Sequence, residues 1–449
     1  MVKHVLMALL HRRMTCVGVA FALFLPLSGL AQAPPTSAVT VTGDDLDQCS
    51  PSEQTYQHDE SVFQYLSNGR NNSLTRLLPI SPARMLSLRH AVRGLNCSGT
   101  PLVGFDGHRF FAGFPDDPGL FLLVPAIAVH SRMPLAAVLD LTLLSIILVT
   151  TAIGYAGYWR LFAGARARLV GAAVFVFLAV VQMRGGEVYM FQSAPVIAAV
   201  PWLIGYAFRQ DRSRLAVTCV LFALVAGGCT LVRSTAGMPC MAFVALLVLC
   251  TFRVPRALAL LLLIAAAYVL PQLIYRQDVK HRDAFLASVP GSSRTPVDHH
   301  LFWHTVYIGL GYWPNREVAR YADESADENV ALIGNVAYGS PEYEATLRHE
   351  VWRIFTHEPQ IVLINLALKF GAMFIMILAL TFPAIPSIRR RKKQLWFDGP
   401  FAAGISASTL IGLISVPNPK YLLGMISFVV MYALLSWALD QQRRDMTQF

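Results

Sequence analysis

Residues 134–159 read PLAAVLDLTLLSIILVTTAIGYAGYW, with Asp140 as the single charged side chain. A run of this kind is what one helix needs to cross the hydrocarbon core of a bilayer, about 20 residues rising 1.5 Å each. Similar runs recur at roughly 169–183, 188–208, 215–232, 238–252, 257–275, 361–385, 399–416 and 421–438. Only 14% of the 449 residues are charged and 55% are hydrophobic. A soluble chain carries about 25% charge. The pattern predicts an all-α polytopic membrane protein with about ten transmembrane helices.

The charge balance is +10, but its distribution argues against nucleic acid as a partner. The basic residues sit in short gaps between apolar runs, where they set orientation. The start, MVKHVLMALLHRR, followed by an apolar run to Ala31-Gln32-Ala33, fits a cleavable signal peptide or a retained first helix. We take the retained helix, residues 1–33. With the start inside and 118–131 lying on the outer surface, the gaps 159–168, 209–214, 253–256 and 389–393 and the tail with Arg443 and Arg444 all face the cytoplasm. The organisation is then a first outer loop at 34–133, a helical bundle at 134–275, a second outer loop at 276–360, and C-terminal spans with a cytoplasmic tail at 361–449. Both loops carry juxtamembrane helices. The expected location is a bacterial inner membrane, with the chemistry on the periplasmic side. Within the spans charges are few, Asp140 being the main one.

Cys49 and Cys97 are the two cysteines in polar sequence. An extracytoplasmic first loop predicts a disulfide between them. Segment 81–95, SPARMLSLRHAVRGL, puts Met85, Leu88, Val92 and Leu95 on one helical face and Arg84, Arg89 and Arg93 on another. It reads equally as an interfacial helix with its basic side near phosphates or as a helix packed on its own domain.

Four clusters of chemistry-bearing residues fall at predicted outer ends: His58-Asp59-Glu60; FDGHRFFAGFPDDPGL with Asp106, His108, Arg109, Asp116 and Asp117; MRGGEVYMFQSAP with Arg184 and Glu187; and VPNPKYLL with Lys420 and Tyr421. Charged groups at a membrane boundary are costly unless paired or functional. In the second loop, His300 and His304 are spaced for a shared metal on a helix, and RHEVW begins like a zinc-binding HExxH motif without its second histidine. Trp303, Tyr307, Tyr312 and Trp313 read as an aromatic cap, DESADEN at 323–329 as a solvated face, and PEYEATLRHEVWRIFTHEP as a surface helix feeding the next span.

The acidic pair after the first span, the Asp-Pro-Gly turn at 117–119 and the Pro-Lys-Tyr at 419–421 together resemble the GT-C glycosyltransferases. The similarity is greatest to the bacterial protein mannosyltransferase and aminoarabinose-transferase-like group. The resemblance covers the chain as topology, and at motif level only about 55–66, 105–120 and 416–422. It implies an inverting hexosyl or pentosyl transferase that moves a sugar from a polyprenyl-phosphate donor to a lipid, glycan or protein acceptor. Asp59 matches the family's principal carboxylate, with Glu60 beside it, and Glu187 falls where a second acid often stands. The local motifs depart from the pattern at PDDPG and around Glu187. Chemistry alone asks for the same parts: a base for the acceptor and cations for the departing phosphate. Asp59 is the candidate base. Glu60 orients it, binds acceptor or helps hold a divalent cation, the one cofactor considered. Arg109, Arg233 and Lys420 are candidate phosphate contacts; His58, Asp116, Asp117, Glu187 and Tyr421 complete the substrate-binding set. An O-antigen polymerase or ligase, or a lipid or polysaccharide flippase or transporter, are the competing readings.

Overall fold

The computed structural model describes residues 80–113, 117–131, 133–292, 301–334, 336, 338–391 and 393–447. Helix α1 (Pro82–Ser98) starts where the Ser81 hydroxyl accepts from the Arg84 amide at 3.2 Å, and it stops at Gly99, whose N–H bonds back to Leu95 O. Met85, Leu88 and Ala91 are buried against Leu120, Phe121 and Val124. The apolar face of this helix is therefore packed on the rest of the chain. A short hairpin follows, β1 (Val103–Phe105) and β2 (Phe110–Ala112), antiparallel with Val103 opposite Ala112. Its turn is closed by Asp106, whose carboxylate accepts from the His108 and Arg109 amides at 2.9 Å each, and by Gly107 at φ +103°.

Helices α2 (Pro118–Ser131), α3 (Leu135–Leu161) and α4 (Ala165–Gly185) come next, then a 3-10 turn (Glu187–Gln192), α5 (Ala194–Phe208), α6 (Arg212–Val232), α7 (Gly237–Thr251) and α8 (Val254–Ser288). After a loop region built from α9 (Phe302–Gly309), α10 (Asp323–Ile333) and α11 (Pro341–His357), the chain returns as α12 (Pro359–Thr381), a 3-10 turn, α13 (Ile385–Arg390), α14 (Leu395–Ile414) and α15 (Leu423–Thr447). Among the described residues, eight helical segments are long and apolar enough to cross a membrane: Leu135–Leu161, Ala165–Gly185, Val188–Phe208, Arg212–Val232, Val254–Ser288, Pro359–Arg390, Leu395–Ile414 and Leu423–Arg444. Helices α2 and α7 are shorter, with 14 and 15 residues. The chain is thus a multi-pass membrane protein, and the elements of its described residues are helical apart from one hairpin.

Helix α15 is the centre of the bundle: Phe428, Val429, Met431, Leu435 and Ala438 are fully buried. Helices α8 and α12 are peripheral and turn Leu262, Leu263, Phe370 and Ile375 outward, as lipid-facing helices do. Five basic turns gather at one end. Arg209 donates to the Arg160 carbonyl at 2.6 Å, joining the end of α5 to the end of α3. Arg390 and Arg444 share Asp440 at 3.1 and 2.9 Å. Leu246, late in α7, packs on Gly399 at the start of α14. Gly185 at the end of α4 abuts Leu423 at the start of α15, so the opposite ends of those two helices point the same way.

Three expectations change. Helix α8 does not stop near 275; it runs unbroken for 35 residues to Ser288, about 52 Å, which exceeds a hydrocarbon core of about 30 Å. Its extension carries Phe285 and Leu286 against the hairpin, with Phe285 and Phe110 rings 5.3 Å apart. The 323–329 run is more than a solvated face, because Ala326 and Val330 are buried, Asp323 contacts His304 at 3.1 Å, and Asp327 accepts from the Tyr343 hydroxyl at 2.8 Å. Asp140 is also not the main charge within the spans: Lys369 on α12 is 2% exposed and donates to the Leu413 carbonyl at 2.9 Å.

Candidate functional site

At the end opposite the basic turns, residues from five separate parts of the chain converge. Asp117 stands just before α2 and is 1% exposed. Arg84, in the first turn of α1, reaches its Oδ2 at 2.6 Å. Arg233, at the C-cap of α6, lies 3.7 Å from Oδ1, longer than a hydrogen bond. The Arg233 guanidinium sits over the Tyr189 ring, 4.7 Å from its centroid, and its Nε is buried without a hydrogen-bond partner among the described residues. Tyr189, in the 3-10 turn after α4, meets Tyr421 edge-on at 4.9 Å. The Lys420 ammonium lies 5.1 Å from the Tyr189 centroid and 5.4 Å from that of Tyr421.

The local sequence explains how each side chain arrives. Arg233 leaves the helix in extended conformation, φ −144° and ψ 111°, which turns its side chain off the axis of α6. The Asn418 carboxamide accepts from the Lys420 amide at 3.1 Å and closes the 418–421 turn that presents Lys420 and Tyr421. Behind Tyr421, the Tyr321 hydroxyl shares a hydrogen bond with Ser415 Oγ at 3.0 Å, and burial pushes its pKa up, so it stays protonated. Tyr321 thereby ties the loop region to the segment that leads into Tyr421.

Electrostatically the site is cation-rich. Arg84 is committed to Asp117. Arg233 is held by cation–π contact and the same carboxylate. Lys420 is exposed and makes no salt bridge among the described residues. Two cations over aromatic faces, one of them solvent-facing, can receive an anionic group such as a phosphate. Asp117, being fully buried, acts through the arginines it positions.

Four predicted site residues thus meet: Asp117, Arg233, Lys420 and Tyr421. Arg109 makes none of these contacts; it is exposed and pairs with Asp106 at 3.3 Å. Burial of Asp106 is outweighed by the hydrogen bonds it accepts, which hold its carboxyl below the usual range. His58, Asp59, Glu60, Asp116 and Cys49 lie outside the described residues, as does the Glu187 side chain, so the acidic pair and the Cys49–Cys97 bridge fall outside the structural description. Two members were not singled out in the sequence for this site, Arg84 and Tyr189.

In the loop region His304 has both ring nitrogens engaged, Nδ1 with the Tyr343 hydroxyl at 2.8 Å and Nε2 with Asp323 at 3.1 Å. Glu344 accepts from the Trp303 and His304 amides at 2.9 and 3.0 Å, fixing the start of α9. His304 is thereby a structural hub. His300 is not described, and no group of three metal-ligating side chains occurs among the described residues. Of the four cap aromatics, Trp313 is exposed and Tyr307 is buried with its hydroxyl donating to the Glu317 carbonyl at 3.2 Å. No family model matches the chain, and no curated protein or solved structure matches it.

Proposed function

We propose that the protein is a membrane glycosyltransferase of the GT-C type, which moves a sugar from a polyprenyl-phosphate donor to a lipid, glycan or protein acceptor at the outer face of a bacterial inner membrane. The observation that carries this reading is the convergence of Arg233, Lys420, Tyr189 and Tyr421 at the end of the bundle away from the basic turns. By the positive-inside rule the basic turns are cytoplasmic and the cluster is periplasmic. A lipid phosphate at that level meets two cations, and the tyrosine faces suit a sugar or the first isoprene unit.

In this scheme Asp59 takes the proton from the acceptor hydroxyl or amine as the acceptor oxygen or nitrogen bonds to the anomeric carbon. The bond from that carbon to the phosphate oxygen breaks on the opposite face, and the polyprenyl phosphate leaves with the electron pair. Arg233 and Lys420 hold the charge that develops on it. Glu60 orients Asp59 or helps hold a divalent cation.

Transfer from a purified polyprenyl-phosphate sugar, measured in nanodiscs, tests the assignment. Asp59→Asn is expected to lose about 10²- to 10⁴-fold in turnover while insertion and donor binding persist. Near wild-type turnover in Asp59→Asn removes Asp59 as the base. A wild-type protein inert across polyprenyl-phosphate hexoses and pentoses removes the transferase reading itself.

A further inference from the structure

At the basic end, a cleft of about 100 Å³ opens between the end of α3, the end of α5 and the start of α6. Arg160, Arg209 and Arg214 surround it, and Trp202 and Tyr206 form its apolar wall. Its floor exists because α3 and α5 approach closely: a Cβ on Gly157 would lie 2.8 Å from the Trp202 ring, and one on Gly205 would lie 2.9 Å from Leu161. The Trp202 indole is fixed by donating to the Ile153 carbonyl at 2.9 Å. Its face carries the Arg160 guanidinium at 4.9 Å. Arg209 is tethered through one nitrogen to the Arg160 carbonyl at 2.6 Å.

Neither Arg160 nor Arg209 has an acidic partner among the described residues; Arg214 pairs with Asp211 at 3.3 Å. Orientation by charge requires cations in this turn, but it does not require one to be set over a fixed indole and a second to be tethered beside it at the rim of a concavity. The depth is that of a headgroup layer, because apolar spans end here and Phe208, next to Arg209 in the chain, and Val217, one turn into α6 from Arg214, are exposed.

We propose that this cleft binds a phosphate group presented by an anionic lipid headgroup. The two guanidiniums engage the phosphate oxygens, Trp202 and Tyr206 pack against the glycerol level, and the acyl chains lie along Phe208 and Val217. The site is at the opposite end of the molecule from the proposed transfer site and does not depend on that reading.

The test is native mass spectrometry of the purified full chain in detergent, offered phosphatidylglycerol or phosphatidylcholine. Wild type is expected to retain phosphatidylglycerol preferentially. A double variant, Arg160→Gln with Arg209→Gln, is expected to lose retention by about 5- to 30-fold, at roughly a factor of 5 per arginine near a headgroup. Arg212→Gln, an exposed cation on the same turn but outside the cleft, serves as the control and is expected to change retention by less than about 2-fold. Equal retention by wild type and double variant, equal retention of the two lipids by wild type, or an equal loss in Arg212→Gln overturns the proposal. Displacement by millimolar inorganic phosphate assigns the cleft to free phosphate and overturns the lipid source; resistance to it is the expected result.

Discussion

The two ends of the bundle use the same residue types to different effect. At the basic end the arginines are spread over several separate turns, and those that share Asp440 are half-exposed: Arg390 is 53% and Arg444 45% accessible, while Arg391 is covered at 9% against Asp398. Arg168 lies over Trp159 at 4.0 Å and donates to the Phe162 carbonyl at 3.1 Å. At the opposite end Arg84 and Arg233 are 19% and 12% accessible around a carboxylate that is 1% accessible. Exposed pairs are screened and contribute about 0–1 kcal/mol each. A buried pair makes little net contribution to stability, but losing one partner strands the other in low dielectric. The Asp440 pairs at the basic end therefore tolerate change, whereas the Asp117 cluster at the opposite end holds one geometry.

The largest expected difference between the ends is thermodynamic. Asp117→Ala removes the carboxylate that Arg84 and Arg233 share and should destabilise the protein by about 3–5 kcal/mol. Arg390→Gln at the basic end should cost less than about 1 kcal/mol, since Arg444 still holds Asp440. Thermal unfolding of both variants in one detergent measures the contrast. Equal shifts would mean that the Asp117 cluster is no more than another surface ion pair.

That contrast was only partly legible in the sequence. The apolar runs and the basic gaps between them were readable because lipid imposes length and composition on every span. Asp117, Arg233, Lys420 and Tyr421 each announced themselves as polar groups at predicted helix ends. Arg84 and Tyr189 did not: one sat in an amphipathic pattern and the other in an apolar turn, and only tertiary packing gives them a role. Other misses had signals. Asp106-Gly107 in a four-residue polar gap between Phe105 and Phe110 marks a hairpin. The stretch YRQDVKHRDAFLAS contains no Pro or Gly before Pro290, so nothing in it stops α8 at 275. Lys369 is a lone cation inside an apolar run, which marks it for a built contact; the contact is the Leu413 carbonyl near the C-terminus of α14, where a cation complements the helix dipole.

A smaller effect sharpens the comparison by asking which cation meets substrate. Lys420 is exposed, so Lys420→Gln should leave thermal stability unchanged within about 0.5 kcal/mol. If it contacts the donor phosphate, KM for a polyprenyl-phosphate sugar should rise about 10- to 100-fold, the worth of one charge-assisted hydrogen bond. Lys420→Arg should recover part of that loss, because charge is retained while the geometry differs. Steady-state kinetics with varied donor gives the answer, and an unchanged KM in Lys420→Gln would take Lys420 out of the donor site.

The smallest effect concerns pH at the cluster's outer margin, where α1 meets the hairpin. His90 packs edge-on against Phe111, ring centroids 5.7 Å apart. Burial, then the nearby Arg93 charge, hold its pKa below the ordinary 6.5; Asp106 opposes and Arg89 adds to the lowering. The folded state therefore binds this proton less readily than the unfolded chain. Its contribution is fully present above pH 6.5 and is lost as pH falls from 6.5 through the lower folded value. Hydrogen exchange across 82–112 should be flat between pH 8 and 7 after correction for intrinsic rates, with protection declining below about 6.5. His90→Gln should abolish that decline, because no proton is taken up at this position. The basic turn at 209–214 holds no histidine, and its protection should stay flat over the same range. A decline of equal size at both ends would assign the pH response to the molecule's overall charge and not to His90.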